Sequence, residues 1–498
     1  MQQAISRATF GQVFAVREFR ALWAAQVFSV VGDRLALVAI TVLVFDRSHS
    51  PLLTSAAYAA GYVPWLVGAL ALAGLADRFP RREVMVACDL VRTLLVGLMT
   101  LPGLPLAGLV VLLFVTTMFA PPFESARAAI TPDILHGDRY VLGTAVVQTT
   151  FRAGLVAGAA AGGIAVAYLG ARPALIVDAA TFAVSALLVR FGTARRPAAA
   201  APGAARAPRG DAAAPSGPSG PPAAAPARGS ATRGRGRFRA GAAVVFGDRA
   251  LLTLVLLGWL VAFYAIPEGL AAPFARQVGA GAAGTGLVLA AGPLGGVLAA
   301  PAFTRLVAPG RRLRWIGPLA VGACAVLLAT ALQPGLGAAL AIFVISGAFG
   351  VYQIPANAAF VERVPNARRA QAFGLANAGL IVGQGIMFIV AGAAAGAASP
   401  ATVIAATGGV GTVLALLLAV RWFRVSRHGR APDVGAENLA VRPLQAHRPW
   451  QSRWEGRSAP GVAHGRLLSG CFGRGWYPVA VVSAPGVTHG APPCFGPG

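Results

Sequence analysis

Lysine is absent from this 498-residue chain, so all 42 of its basic residues are arginine. That absence excludes a P-loop ATPase and Schiff-base chemistry, both of which need a lysine amine. Charge is scarce as well: 12% of the residues are charged and 56% are hydrophobic, about half the charged share of a soluble protein. A water-soluble fold is thereby excluded. Cys88, Cys324, Cys471 and Cys494 form no CxxC, and the six histidines form no HExxH. Neither a disulfide scaffold nor a zinc centre is legible, and no cofactor is expected. The 17 acids leave a net charge of +25. Nucleic acid is still not an expected partner, because the arginines alternate between loops and do not form one stripe.

What the chain has in abundance is apolar runs near the length of roughly 20 residues that a bilayer-spanning helix needs. Six precede a polar interruption: Ala21–Phe45, Leu52–Ala76, Val84–Leu101, Leu106–Ala128, Val141–Leu169 and Ala174–Phe191. Six follow it: Leu251–Phe274, Ala283–Leu306, Trp315–Leu332, Leu336–Phe360, Ala372–Gly396 and Ala401–Phe423. Met1 to Phe19 contain no cleavable apolar core, so the first run is expected to remain as a membrane helix. The predicted architecture is all-α and integral to the membrane, with twelve transmembrane helices in two pseudo-symmetric six-helix bundles, 1–191 and 249–424. Between them, 192–248 is Ala/Pro/Gly/Ser-rich with nine arginines and reads as a disordered basic linker. The tail, 425–498, is Gly/Pro/Arg-rich and reads the same way.

Two observations support that division. Gly61 and Gly292 head similar stretches 231 residues apart, and the pairs Arg81/Arg311 and Ala126/Ala356 are each 230 apart, which argues for duplicated halves. Arginine also clusters on alternate connections. Arg17, Arg20, Arg78, Arg81, Arg82, the linker, Arg311, Arg312 and Arg369 fall on one side, and Arg47, Arg172 and Arg276 on the other. Positive loops stay cytoplasmic, so both termini are expected inside a bacterial plasma membrane.

Several stretches together resemble a known family. They are FRALWAAQVFSVVGD in the first run, GLADRFPRR after the second, MVACDLVR in the third, PPFESARAAITPDIL closing the fourth and VPNARRAQAFGLANAGLIVGQG entering the eleventh. From about Phe19 to Phe423 the chain resembles the major facilitator superfamily, in particular the bacterial twelve-span branch of macrolide-efflux and enterobactin-exporter proteins. The resemblance implies secondary transport by alternating access across a midplane site. It also implies a cytoplasmic latch between the halves at Asp77, Arg78, Arg81 and Arg82, although Pro80 replaces the motif's inner glycine. The antiporter glycine motif of the fifth helix is met by Gly154, Gly158, Gly162 and Gly163, with Ala145 and Ala159 replacing its first glycine and its proline.

Charges at membrane depth cost about 2.5–3.5 kcal/mol each on insertion scales, so they are functional candidates. Asp33 lies thirteen residues past Arg20, roughly 20 Å into the core, and is the first proton-coupling candidate, with Asp178 the second. Arg34 is the expected partner of Asp33, a permanent structural pair being the alternative to coupling. Asp89 and Arg92, three apart, suit an intrahelical pair. Arg152 is a deep charge that could line a cavity, whereas Glu124 and Glu268 lie nearer helix ends and read as interfacial. Trp259, Tyr264, Phe349 and Tyr352 offer flat walls for an amphipathic substrate, or else packing. The expected activity is proton-coupled export of small amphipathic compounds by a monomer, with small molecule, protons and bilayer as its partners. An uptake permease of the same fold and a non-transporting receptor or scaffold are the alternatives.

Overall fold

The computed structural model describes residues 9–72, 75–196, 242–365 and 368–428. Among them there is helix and no strand, the outcome required where a backbone in lipid must satisfy its own polar groups. The first set comprises α1 (Phe10–Phe14), α2 (Arg17–Ser48), α3 (Pro51–Ala59), α4 (Val63–Ala71), α5 (Leu75–Arg78), α6 (Arg81–Met99), α7 (Leu106–Met118), α8 (Ala120–Ile134), α9 (Asp138–Leu169) and α10 (Ala171–Gly192). The second comprises α11 (Arg249–Trp259), α12 (Val261–Tyr264), α13 (Ile266–Gly269), α14 (Ala271–Gln277), α15 (Gly281–Leu306), α16 (Pro309–Arg312), α17 (Ile316–Ala325), α18 (Leu336–Phe349), α19 (Gln353–Arg363), α20 (Arg369–Ala394) and α21 (Pro400–His428).

Helix ends follow local chemistry. His49 closes α2 in the left-handed region at φ 51°, and Ser50 then caps α3 by accepting from Leu53 N, with Pro51 in the first turn. Asp248 caps α11 by accepting from Ala250 N at 2.7 Å. Of the expected linker, 242–247 is helical, and Arg195 and Arg196 pair with Glu83 and Glu18, each at 2.8 Å. The described helical bundle therefore extends past both expected linker edges. The rest of that linker, and the tail beyond His428, lie outside the described residues.

Among the described residues, ten helical segments are long and apolar enough to cross a membrane. The other two expected spans differ for physical reasons. The second is broken into α3, α4 and α5, with Gly61 in the first break and Pro64 opening the next piece. The third, α6, is a continuous helix that carries Arg81, Arg82, Glu83, Asp89 and Arg92.

The two sets are joined unevenly. The connections holding Arg47 and Gly279 lie at one end of the bundle, called here the Arg47 end; the Arg81 and Arg311 connections lie at the other. One core cluster draws on both sets, with Val38, Ile40 and Phe182 beside Ile266, Phe274 and Phe388. Two further clusters belong to one set each: Leu22, Met85 and Ile130 in the first, Leu257, Tyr352 and Trp422 in the second. The shared core holds residues toward the Arg47 end, and the divided cores lie toward the Arg81 end. Ser55 Oγ donates to Gly269 O at 2.8 Å and Arg276 pairs with Asp46 at 3.1 Å, both across the sets at the Arg47 end.

Candidate functional site

Asp33 occupies the midpoint of α2. Ser29 lies one turn earlier on the same face, as the i, i+4 spacing dictates, and α6 presents Arg92 to both. The guanidinium donates to Ser29 Oγ at 3.1 Å and is bonded to Asp33 Oδ1. It also lies 3.9 Å from Asp89 Oδ1 and stands 4.0 Å over the Phe182 ring of α10, a cation–π contact in a dry setting. Ser185, three residues beyond Phe182, donates to Asp89 Oδ2 at 2.6 Å. Asp178 completes the same face of α10. It is fully buried against Gly32, takes a 3.4 Å bond from Thr181 Oγ1 on one oxygen, and has no hydrogen-bond partner for Oδ2. Gly32 leaves room for both, since a Cβ there would displace the Asp178 and Thr181 side chains.

Three carboxylates thus gather near one guanidinium. Arg92 is 2% exposed and Asp89 fully buried, yet 41% of the Asp33 side chain remains open. Asp89 Oδ1 and Arg92 Nε are also without a hydrogen-bond partner. Such a cluster is sensitive to any change of charge, because an uncompensated charge in the interior costs several kcal/mol.

The partner expected for Asp33 is corrected. Arg92 takes that place as the ion-pair partner, whereas Arg34 makes no ion pair with Asp33, and Tyr58, Tyr62, Glu268 and Asp33 all lie within its electrostatic reach. Adjacent helical residues diverge by about 100°, so Arg34 cannot share the face on which Asp33 meets Arg92. Asp89 and Arg92 do lie together, at ion-pair distance without a hydrogen bond, and Asp89 takes its strong bond from another helix. Arg152 is exposed on α9.

The helix-five glycines are contact surfaces on two sides. A Cβ at Gly154 would come within 2.9 Å of Val30 Cγ1, at Gly158 within 2.9 Å of Arg34 Cβ, and at Gly162 within 3.0 Å of Leu35 Cα. These three seat α9 on α2. Gly163 turns to the second set, where a Cβ would lie 2.7 Å from Gly286 Cα of α15. Close backbone approach of this kind drives helix association in lipid, where apolar transfer offers little.

At the opposite end, Arg81 donates to Ala129 O at 2.7 Å and pairs with Asp133 at 2.6 Å, and Arg82 donates to Thr193 O at 3.2 Å. All of these partners belong to the first set. Arg78 is exposed, and the Asp77 side chain lies outside the described residues. In the second set, Arg312 donates to Thr304 O and Val307 O of the preceding helix end.

The four aromatics separate. Tyr352 is fully buried and donates to Leu257 O at 2.7 Å, which takes it out of any cavity wall in this conformation. Trp259 donates to Ala376 O at 2.9 Å, with its ring packed on Gly379. Phe349 packs on Gly322, and Tyr264 accepts from Gln353 Nε2 at 2.6 Å.

The sequence reading passes over Ser29, Ser185 and the group around Glu268. Tyr58 and Tyr62 of the first set both donate to Glu268 Oε2 of the second, at 2.8 and 3.4 Å. More than two hundred residues separate these partners, so no local spacing announces them. A carboxylate lying within the apolar run Leu251–Phe274 was the available signal.

Comparison with known proteins agrees with this architecture. The family model described as Major Facilitator Superfamily matches residues 22–355 and 269–485. The chain is 27% identical over 183 residues to the uncharacterized MFS-type transporter YkuC of Bacillus subtilis (strain 168), covering 36% of this chain and 42% of that protein. It is 25% identical over 119 residues to macrolide efflux protein A of Streptococcus pyogenes, covering 23% of this chain and 29% of that protein. The matches thus span less than half of either relative. Among solved structures, a POT family transporter in complex with 5-aminolevulinic acid superposes with TM-score 0.63 at 12% identity, over 84% of this chain and 98% of that one. A bacterial homologue of the iron transporter ferroportin, in an inward-facing state, superposes with TM-score 0.57 at 13% identity, over 84% of this chain and all of the other. At these identities the structural likeness is one of fold.

Proposed function

Because the chain belongs to the Major Facilitator Superfamily, a family of membrane transporters, we propose that it exports small amphipathic compounds in exchange for protons, its two six-helix halves rocking about a site at Asp33. The observation that carries this reading is the Asp33 carboxylate: midway along a membrane helix, 41% open, and bound to a buried guanidinium that other groups also claim. An open carboxylate can exchange a proton, while a buried guanidinium can report the exchange to the helices around it.

The proposed step uses that geometry. When Asp33 takes a proton its ion pair with Arg92 weakens. Arg92 then turns toward Asp89 Oδ1, which sits 3.9 Å away without a hydrogen bond. Because Arg92 touches α2 through Ser29 and Asp33 and α10 through Phe182, that turn changes how α2, α6 and α10 pack. Asp178, buried beside Gly32, is the second proton site.

The shared core at the Arg47 end and the divided cores at the Arg81 end support a site that faces the Arg81 end in this conformation. Arginine asymmetry makes that end cytoplasmic, with both termini inside. Among the described residues, deep charges of the first set lie in paired groups, Asp33 and Asp89 with Arg92 and Glu124 with Arg127, which favours amphipathic cargo over charged nutrients, and macrolides belong in a test panel because one relative is a macrolide efflux protein.

The test is flux in proteoliposomes with an imposed pH gradient, using amphipathic compounds that include macrolides. Wild type is expected to concentrate at least one of them against its gradient in exchange for protons. Accumulation that ignores the pH gradient would sink the coupling, and movement with the proton would make the protein an uptake permease. Reporter fusions at Arg81 and Ser399 should report opposite sides.

A further inference from the structure

Glu268 stands apart from the Asp33 cluster, on α13 of the second set, and its hydrogen bonds cross to the first. Tyr58 OH and Tyr62 OH donate to the same carboxylate oxygen, and the two hydroxyls lie 3.3 Å from each other. Phe388 of α20 meets both rings, edge-on to Tyr58 at 5.1 Å and tilted to Tyr62 at 5.6 Å. One residue on, Gly269 O accepts from the fully buried Ser55, and Gly269 itself is packed against the Phe388 ring. Tyr58 is 1% exposed. A carboxylate of one set is therefore wedged between two tyrosines of the other, in a seam closed by aromatic rings.

The contacts that join the sets at the Arg47 end are unequal in what their rupture costs. Arg276–Asp46 is half exposed on both sides, and such pairs are screened by solvent and contribute little. Gly163 against Gly286 is a van der Waals contact that parts without stranding a polar group. Ser55 to Gly269 is a neutral bond. The Tyr58–Tyr62–Glu268 contact is charge-assisted and largely shielded, the class of hydrogen bond roughly twice as strong as a neutral one. Its donors and acceptor lie on opposite sides of the seam, so it exists only while the Arg47 end is closed.

We propose that Glu268 is a positioning residue for transport, the acceptor through which Tyr58 and Tyr62 lock the Arg47 end shut. This rests on the alternating-access reading above, and assigns to one carboxylate the balance between closed and open at that end. Asp33 then carries the driving proton, while Glu268 sets how long the far gate stays closed.

The experiment uses the full chain in lipid nanodiscs, with Cys88, Cys324, Cys471 and Cys494 replaced by alanine. Spin labels are placed at Tyr168→Cys and Leu332→Cys, two highly exposed positions at the Arg47 end on different sets. Pulsed dipolar spectroscopy reads the short-distance and long-distance populations. Glu268→Gln keeps an acceptor but loses the charge, and should raise the open-to-closed ratio roughly tenfold. Tyr58→Phe should do about the same in the parent, and add nothing once Glu268→Ala has removed the acceptor. Asp46→Ala should change the ratio by less than about twofold. An unchanged ratio in Glu268→Gln, or a full Tyr58→Phe effect on top of Glu268→Ala, overturns the proposal. Should Glu268→Ala fail to insert, Tyr58→Phe combined with Glu268→Met, which also removes the acceptor but keeps the side chain's length, completes the same cycle. Flux of Asp33→Asn in the same background separates the two readings. A flat distance response together with lost accumulation overturns the gate alone, and a shifted ratio together with normal accumulation in Asp33→Asn overturns the coupling alone.

Discussion

Both helix sets bury polar side chains, but they do so with different chemistry. In the first set, Asp33, Asp89 and Asp178 gather near Arg92, and two of the carboxylates keep an oxygen without a hydrogen bond. In the second, Trp259, Tyr264, Tyr352 and Gln353 are neutral: Trp259 and Tyr352 donate to backbone carbonyls, and Gln353 donates to the Tyr264 hydroxyl. A neutral, satisfied network gains nothing from rearrangement, so it holds its helices in one packing. An ionic cluster with surplus carboxylate has a balance that one proton changes. On the proposed function, the proton-sensitive part lies in the first set and the neutral network of the second is the frame it works against, with Glu268 of the second set acting at the seam between them.

The severest challenge to that contrast is Arg92→Ala. It would leave Asp33 and Asp89 at depth without their cation, and breaking a buried pair from one side costs about 3–5 kcal/mol. Thermal unfolding of the purified protein should fall accordingly, with transport lost. Arg34→Ala, on the neighbouring position, should destabilise much less, because Arg34 is half-buried and makes no ion pair with Asp33. Equal destabilisation would restore Arg34 as the partner.

Asp33→Asn comes next. One charge moving through 100 mV is worth about 2.3 kcal/mol, enough to sustain a gradient of roughly 50-fold per proton. The amide mimics a permanently protonated acid, so driven accumulation should fall to about one while downhill exchange stays measurable in proteoliposomes. Retained accumulation would demote Asp33 to a structural partner of Arg92 and move attention to Asp178.

Helices and their order were legible, since a backbone in lipid bonds to itself and long apolar runs therefore become helices. The glycine stripe was legible too, because a spacing of four places Gly154, Gly158 and Gly162 on one face. The pairing of charges was not. Asp33 and Arg34 are neighbours in the chain and point apart, whereas Asp33 and Arg92 are far apart in the chain and meet. Glu268 read as interfacial because its partners, Tyr58 and Tyr62, come from the other set. The second span is interrupted where Gly61 precedes Pro64, a break that hydropathy averages away.

Gly163→Ala probes the seam between the regions. Its new Cβ would lie 2.7 Å from Gly286 Cα and 2.9 Å from Ala282 O, and backbone cannot yield as a side chain would. Overpacking of this kind costs about 1–3 kcal/mol, and here it should fall on the closed Arg47 end, reducing turnover several-fold with insertion intact. Gly137→Ala is a poor control because its φ is 56°, whereas Gly374, with open space around its Cβ position, is a sound one. If Gly163→Ala and Gly374→Ala transport equally well, the glycine contact is not part of the seam that closes.

The smallest effect is expected where the second set is a frame. Tyr352→Phe removes one buried hydrogen bond, to Leu257 O, and leaves the ring in place. Net hydrogen-bond contributions are about 0.5–1.5 kcal/mol. Leu257 O retains a backbone donor, Leu260 N at 3.3 Å, so its carbonyl is not stranded and the loss should lie toward the lower end of that range. Because Tyr352 is fully buried, it offers no surface to a substrate in this conformation, and KM should be unchanged while the melting temperature drops by a degree or a few. The comparison that sharpens this is Tyr264→Phe, whose partner is Gln353 Nε2 and whose ring is only half-buried. A rise in KM for Tyr264→Phe with none for Tyr352→Phe would place the edge of the substrate cavity between the two tyrosines, whose ring centroids are 6.5 Å apart. A rise in KM for Tyr352→Phe without a change in melting would mean that the ring reaches substrate in another conformation. The second set would then move as much as the first, and the division into moving cluster and fixed frame would fail.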